Sequence, residues 1–138
     1  MYELIYLSTA NPEINQSDIE NILSTARKFN ADNNLSGCLI FHNNHFLQLL
    51  EGDKEIVTSL YEKIIKDQRH TNIRLLHESN KTIRSFAEWR MAFVDLSTHT
   101  DIEQKMFVDN LLTYADLTPK TNKSIDIFWK EVKNLLTN

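Results

Sequence analysis

The sequence predicts an α+β domain built on a ferredoxin-like sheet, five strands and two helices in the order β-α-β-β-α-β-β. Three observations carry this. Five short, largely apolar runs have the length of strands. Two longer stretches, after the first and third of these runs, carry apolar residues at helical spacing. The second and third runs are separated only by His42-Asn43-Asn44, which has the composition of a tight hairpin turn.

The first strand is read over Tyr2 to Ser8. Tyr2, Leu4, Tyr6 and Ser8 share one face, and Glu3, Ile5 and Leu7 the other. Both faces are largely apolar, which places the strand in the middle of a sheet. Asn11-Pro12 breaks the run. Ser17-Asp18-Ile19-Glu20 reads as a capping box, followed by Ile19, Ile22, Leu23, Ala26 and Phe29 at helical spacing. Asn30 falls where that helix ends, and Asp32, Asn33 and Asn34 supply turn residues.

Gly37 to Phe41 and His45 to Glu51 form the hairpin, with Phe46, Gln48 and Leu50 on one face. Gly52-Asp53 opens a second helix whose stripe is Ile56, Val57, Leu60, Tyr61, Ile64 and Ile65. Asp67 to His70 ends it. Strands over Ile73 to His77 and Trp89 to Val94 complete the sheet, with a polar loop, Ser79 to Ser85, between them. Trp89, Met91 and Phe93 share a face if the last strand is regular. Periodicity does not say which face lies under the helices, so it does not place Tyr6 and Gln48 on one side.

Beyond Leu96 the pattern changes. Two amphipathic stripes, one ending near Tyr114 and one running from Ile125 to Leu136, are interrupted at Pro119. They are expected to form a helical pair over the other sheet face, which would otherwise leave Ile5, Leu7, Leu47 and Leu49 wet. The expected division is thus 1–96 for the core domain and 97–138 for a helical extension.

A chain of 138 residues buries enough surface to fold without disulfides or metals. Apolar residues at 41% and charged residues at 25% place it among ordinary globular proteins. A formal charge of -4 offers no basic field for nucleic acid. No apolar run is long enough to span a bilayer and no signal sequence opens the chain, so a cytoplasmic protein is expected. The lone Cys38, in an apolar run, reads as a buried core residue. The five histidines show no metal-ligand spacing, and His42 and His45 are expected to be solvent-exposed. With only Gly37 and Gly52, neither a dinucleotide fingerprint nor a P-loop is present.

Against this background three polar side chains stand out. The phenol of Tyr6 and the carboxamides of Asn30 and Gln48 make little sense together as plain core, because a buried amide needs partners. Around a heterocycle with its own donors and acceptors they make good sense.

The segments that carry them, Leu4 to Ala10, Asn30 to Gly37, Phe46 to Gly52, Lys66 to His70 and Phe86 to Phe93, resemble the BLUF family of blue-light sensors that use flavin. The match covers about residues 2 to 96 in the right order, and the tail resembles that of short, stand-alone members. The resemblance implies a ferredoxin-like fold with FAD bound non-covalently between the two helices, and a switch rather than an enzyme. It implies that Tyr6 is the photochemical electron and proton donor and that Gln48 bridges Tyr6 to the N5 and carbonyl edge of the flavin. Asn30 would bond the pyrimidine side of the ring. Lys63, Asp67, Arg69 and His70 would lie near the ribityl-phosphate side. Trp89 and Met91 would sit by Gln48 and relay its change, with Ser8 a possible partner of the Trp89 indole. A regulator protein would be reached through the last strand and the C-terminal helices, which could also support a homo-oligomer. The chain departs from the common pattern at Phe29, where a polar residue is frequent, and at Lys63, where some members carry arginine.

Other functions on such a sheet are a hydrolase of the acylphosphatase type, a structural or ligand-binding oligomer, and a light-inert flavoprotein. The first wants a glycine-rich phosphate loop and an arginine after the first strand. The loop here is Thr9-Ala10-Asn11-Pro12, which has neither.

Overall fold

The computed structural model describes residues 1–95, together with 127, 128, 130–132 and 134. The elements are β1 (Tyr2–Ala10), α1 (Gln16–Asp32), β2 (Ser36–His42), β3 (His45–Gly52), α2 (Lys54–Ile65), β4 (His70–Asn80) and β5 (Ala92–Asp95). They form a five-stranded sheet in the order β4-β1-β3-β2-β5. The first four strands pair antiparallel, and β5 adds to β2 in parallel. This is the expected ferredoxin-like arrangement with one strand added at its edge, and β1 is indeed interior.

Several boundaries differ from expectation for local reasons. Helix α1 is capped by Asn15, not Ser17: the Asn15 side chain accepts from the Asp18 amide at 2.9 Å, and Asp18 accepts back from the Asn15 amide at 3.0 Å. The reciprocal box is therefore met earlier along the chain. The β2–β3 turn is two residues long, with Asn43 and Asn44 both at positive φ (47° and 63°). Paired left-handed residues match the twist of a hairpin, and asparagine tolerates them. His42 is buried, not exposed, and burial lowers its pKa. Strand β4 runs further in both directions than Ile73 to His77.

The sheet has a core on each face. Tyr2, Leu4, Tyr6, Leu39, Phe46 and Leu50 meet Ile19 and Leu23 of α1 and Val57 of α2. On the other face Ile5, Cys38, Ile40, Leu47 and Leu49 pack with Phe128 and Val132. Phe128 and Val132, from the second stripe of the expected tail, thus lie on the face predicted for it; the first stripe, up to Tyr114, lies outside the described residues. Cys38 is buried, and burial pushes its thiol up to about 12, so it is inert.

Gly37 is required by packing. A Cβ there would lie 2.1 Å from the Leu49 carbonyl oxygen and 3.2 Å from its carbon, both backbone atoms of the paired strand. Gly37→Ala is expected to cost about 3 kcal/mol or more, because backbone in a central ladder cannot move aside. Thermal denaturation of the variant checks this.

Candidate functional site: a cavity between the two helices and the sheet

A cavity of about 340 Å³ opens between α1, α2 and the sheet face beneath them. Tyr6, Leu39, Phe46 and Gln48 form its floor. Ile22, Ala26, Phe29 and Asn30 line it from α1, and Leu60, Lys63 and Ile64 from α2. Asp67, Arg69 and His70 line it from the chain that follows α2. Largely apolar walls with a few convergent polar groups are the usual make-up of a small-molecule site.

The floor is set by register. Tyr6 of β1 lies directly opposite Gln48 of β3, so their side chains emerge side by side on the helix-covered face. The Tyr6 hydroxyl donates to Gln48 Oε1. Gln48 Nε2 in turn donates to the Met91 thioether, 3.7 Å away. All three side chains are buried. Burial raises the Tyr6 pKa above the ordinary phenol value, with smaller contributions from Tyr61 and Asp67, so the hydroxyl stays protonated.

Asn30 lies in the last turn of α1 and is wholly buried. Its Nδ2 donates to the Arg90 carbonyl, but its Oδ1 has no partner. An unpaired buried acceptor lining a cavity costs free energy unless a ligand donor meets it. The imide N–H of a flavin ring is such a donor, and the apolar walls suit the rest of the ring. The residues present therefore fit a flavin.

At the other polar edge, Asp67 holds Arg69 through bonds to its Nε at 2.9 and 3.1 Å. Those bonds keep the Asp67 carboxyl below the ordinary range and raise the Arg69 pKa. Both side chains are about a third exposed, so the pair orients the guanidinium more than it stabilises the fold. His70 Nε2 meets the Ile64 carbonyl at 2.6 Å, which requires the proton on that nitrogen. In the neutral ring Nδ1 then accepts from Ser8 Oγ, at 2.8 Å. Ser8 is thus engaged by His70, not Trp89. The Lys63 ammonium stands 5.8 Å from the centre of the Phe29 ring, so the aromatic departure at Phe29 is a cation platform.

Trp89 is the main correction. It was expected to begin the last strand and to sit near Gln48. Instead β5 starts at Ala92, and Trp89 is 57% exposed. The cause is competition for its backbone. The carbonyls of Trp89, Arg90 and Met91 accept from Gly37 N, Asn30 Nδ2 and Arg27 Nε, respectively. These bonds draw the segment against α1 and the start of β2. Only Met91 then reaches the floor.

One cluster was not foreseen at all. Glu3 and Glu51, opposite each other on β1 and β3, are fully buried, and Lys81 bridges them at 3.1 and 2.6 Å. The signal was present: Glu3 shares its alternation face with Ile5 and Leu7, in a strand read as buried on both sides.

The profile of the BLUF family, described as sensors of blue-light using FAD, matches residues 1–92. The chain belongs to the BLUF family. It is 36% identical over 119 residues to the blue light- and temperature-regulated antirepressor BluF of Escherichia coli (strain K12), covering 82% of this chain and 30% of that protein. It is also 36% identical over 89 residues to the photoactivated adenylate cyclase subunit beta of Euglena longa, covering 64% of this chain and 10% of that one. The chain thus spans less than a third of each of these curated relatives. Among solved structures, the photo-activated state of BlsA superposes with a TM-score of 0.69 at 35% identity, covering 99% of this chain and 95% of that one. As a BLUF domain the chain is a blue-light sensor that uses flavin. No helix among the described residues is long and apolar enough to cross a membrane.

Proposed function

We propose that this chain is a photoreceptor that holds FAD non-covalently in the cavity and signals by rearranging the hydrogen bonds of Tyr6 and Gln48, without turning over a substrate. The observation that carries this is the buried chain Tyr6–Gln48–Met91 on the cavity floor. The phenol holds one end of the amide, while the other end has only a weak thioether acceptor and is free to take a different partner.

Asn30 Oδ1 accepts from the pyrimidine edge of the ring. Lys63, Arg69 and His70, with Asp67 orienting Arg69, serve the ribityl-phosphate side. A lysine there acts as a point charge, less directional than arginine. Bound flavin supplies light absorption and, when excited, a strong oxidant. Tyr6 would give up an electron to that oxidant and pass its hydroxyl proton to Gln48 Oε1, while Gln48 would release a proton from Nε2 to the same acceptor. Both are restored to Tyr6 when the electron returns. Gln48 has a donor end and an acceptor end, so it can return rotated or tautomerised, with different partners. Dry surroundings make that difference count, although a single bond is worth only ~1 kcal/mol net. The output must therefore bias an element already near balance.

Met91 carries the change out of the floor into β5. A cytoplasmic regulator protein, or a second copy of the chain, is reached through β5 and the residues after it.

An absorption spectrum of the purified protein in darkness, under blue light and after return to darkness tests this. We expect a bound-flavin spectrum that shifts slightly to the red and recovers. Bound flavin without a shift would leave a flavoprotein of another purpose. A colourless protein, after reconstitution, would overturn the reading.

A further inference from the structure

Behind the cavity floor, on the opposite face of the sheet, Glu51 makes more hydrogen bonds than any function so far assigned requires. Its Oε1 accepts from Ser36 Oγ at 3.1 Å and from the Phe86 amide at 2.6 Å. Its Oε2 accepts from Lys81 Nζ at 2.6 Å and from the Ser85 amide at 2.9 Å. Lys81 is held in turn by Glu3 and by Ser85 Oγ at 3.0 Å. Arg84 closes the arrangement from outside, donating to Ser36 Oγ and to the carbonyls of Glu51 and Asn34.

The segment from Lys81 to Met91 is thereby fastened at both ends. Glu51 grips its first half through two backbone amides. Gly37, Asn30 and Arg27 grip the carbonyls of Trp89, Arg90 and Met91. Between these anchors Phe86 leaves the segment and meets the Phe128 ring edge-on, with centroids 5.9 Å apart. Glu51 also stands three residues from Gln48 in the same strand, on the other face, so β3 carries both the switching amide and the clamp.

We propose that Glu51, locked by Lys81 and Glu3, is a positioning residue for the photoswitch: it fixes the segment that presents Met91 to Gln48 and so sets how slowly the light state reverts. A firmly held thioether resists the reorientation that the Gln48 amide must undergo on return. A loosened one gives way. The inference rests on the photoreceptor reading above.

Glu51→Gln in the flavin-bound full chain tests it. The size is kept, but one acceptor oxygen becomes an NH₂ that cannot accept from the Ser85 or Phe86 amide. Flavin occupancy is expected to stay at the wild-type level, because the cavity lies on the other face. Dark recovery should accelerate about threefold or more, the effect of one net hydrogen bond. Amide exchange of Ser85 and Phe86 in darkness should rise about tenfold or more. Leu47→Val, in the apolar cluster of the same face but without hydrogen bonds to the segment, serves as the comparison at similar loss of Tm. Unchanged recovery in Glu51→Gln, or equal acceleration in Leu47→Val, would overturn the proposal. Should Glu51→Gln not fold, Lys81→Met is read in the same way. A wild-type protein lacking a photocycle would defeat the photoreceptor reading. Exchange would then decide the clamp alone, with unchanged rates at Ser85 and Phe86 counting against it.

Discussion

Tyr6→Phe binds flavin normally and shows no light-induced red shift. The ring of Tyr6 supplies the apolar floor, and phenylalanine keeps it, so the cavity should fill as before. What is lost is the hydroxyl that donates to Gln48 Oε1. Phenylalanine has no proton to pass to the amide, so the coupled transfer has no donor. The amide oxygen is left with one partner fewer in a buried site, which should lower stability by about 1–3 kcal/mol. Absorption difference spectra with and without blue light check the photochemistry, and thermal unfolding checks the cost. A full red shift in this variant would remove Tyr6 from the mechanism. Because burial raises the Tyr6 pKa, the buried wild-type phenol has a further signature. The phenol binds its proton more tightly folded than unfolded. Its contribution to stability is therefore complete below the unfolded value of about 10 and declines as pH rises above it.

Gln48→Leu should also lose the shift entirely, for the complementary reason. Leucine fills similar space on the floor, but it can neither accept from Tyr6 nor donate to Met91. Electron transfer from Tyr6 remains open to this variant, yet nothing is left that can settle into a second arrangement. Ultrafast spectroscopy should therefore find quenched flavin fluorescence with no lasting spectral product. The stability cost should be about 1–3 kcal/mol, because the buried Tyr6 hydroxyl is left without its acceptor. A persistent red-shifted state in Gln48→Leu would show that the amide is not the switching element.

Much of the fold could be read from apolar runs and turn chemistry. Tyr2 to Ser8 is apolar on both faces, Asn43-Asn44 marks the hairpin, and both helices carry broad apolar stripes. The last strand could not be placed, because Trp89, Met91 and Phe93 alternate as well as any strand. What moves Trp89 off the sheet is a set of backbone bonds to Gly37, Asn30 and Arg27, residues more than 50 positions away. Backbone carbonyls leave no mark in a hydropathy pattern. The Asn15 cap was passed over because Ser17 and Glu20 offered a familiar spacing two residues later.

The site divides in the same way. Tyr6, Asn30 and Gln48 stood out because each is polar where its element is apolar. Their meeting on one face was not legible, since either face of β1 could have lain under the helices. Glu3 and Glu51 bore the same mark, but a lone carboxylate in a strand does not announce its counter-ion, and Lys81 lies far along the chain in a loop. Phe29 was noted only as a departure; its role as a partner of Lys63 needs α1 and α2 side by side.

The pairing of Tyr6 with Gln48 across β1 and β3 has a consequence for how such a protein can change over evolutionary time. Side chains alternate, so gaining or losing one residue within either strand would turn one partner toward Phe128 and Val132 while the other stayed put. No point substitution could mend that. Lineages are therefore free to vary the chain between Asn11 and Asn15, but the spacing from Tyr6 to the end of its strand, and from Asn44 to Gln48, should be inherited as a fixed length.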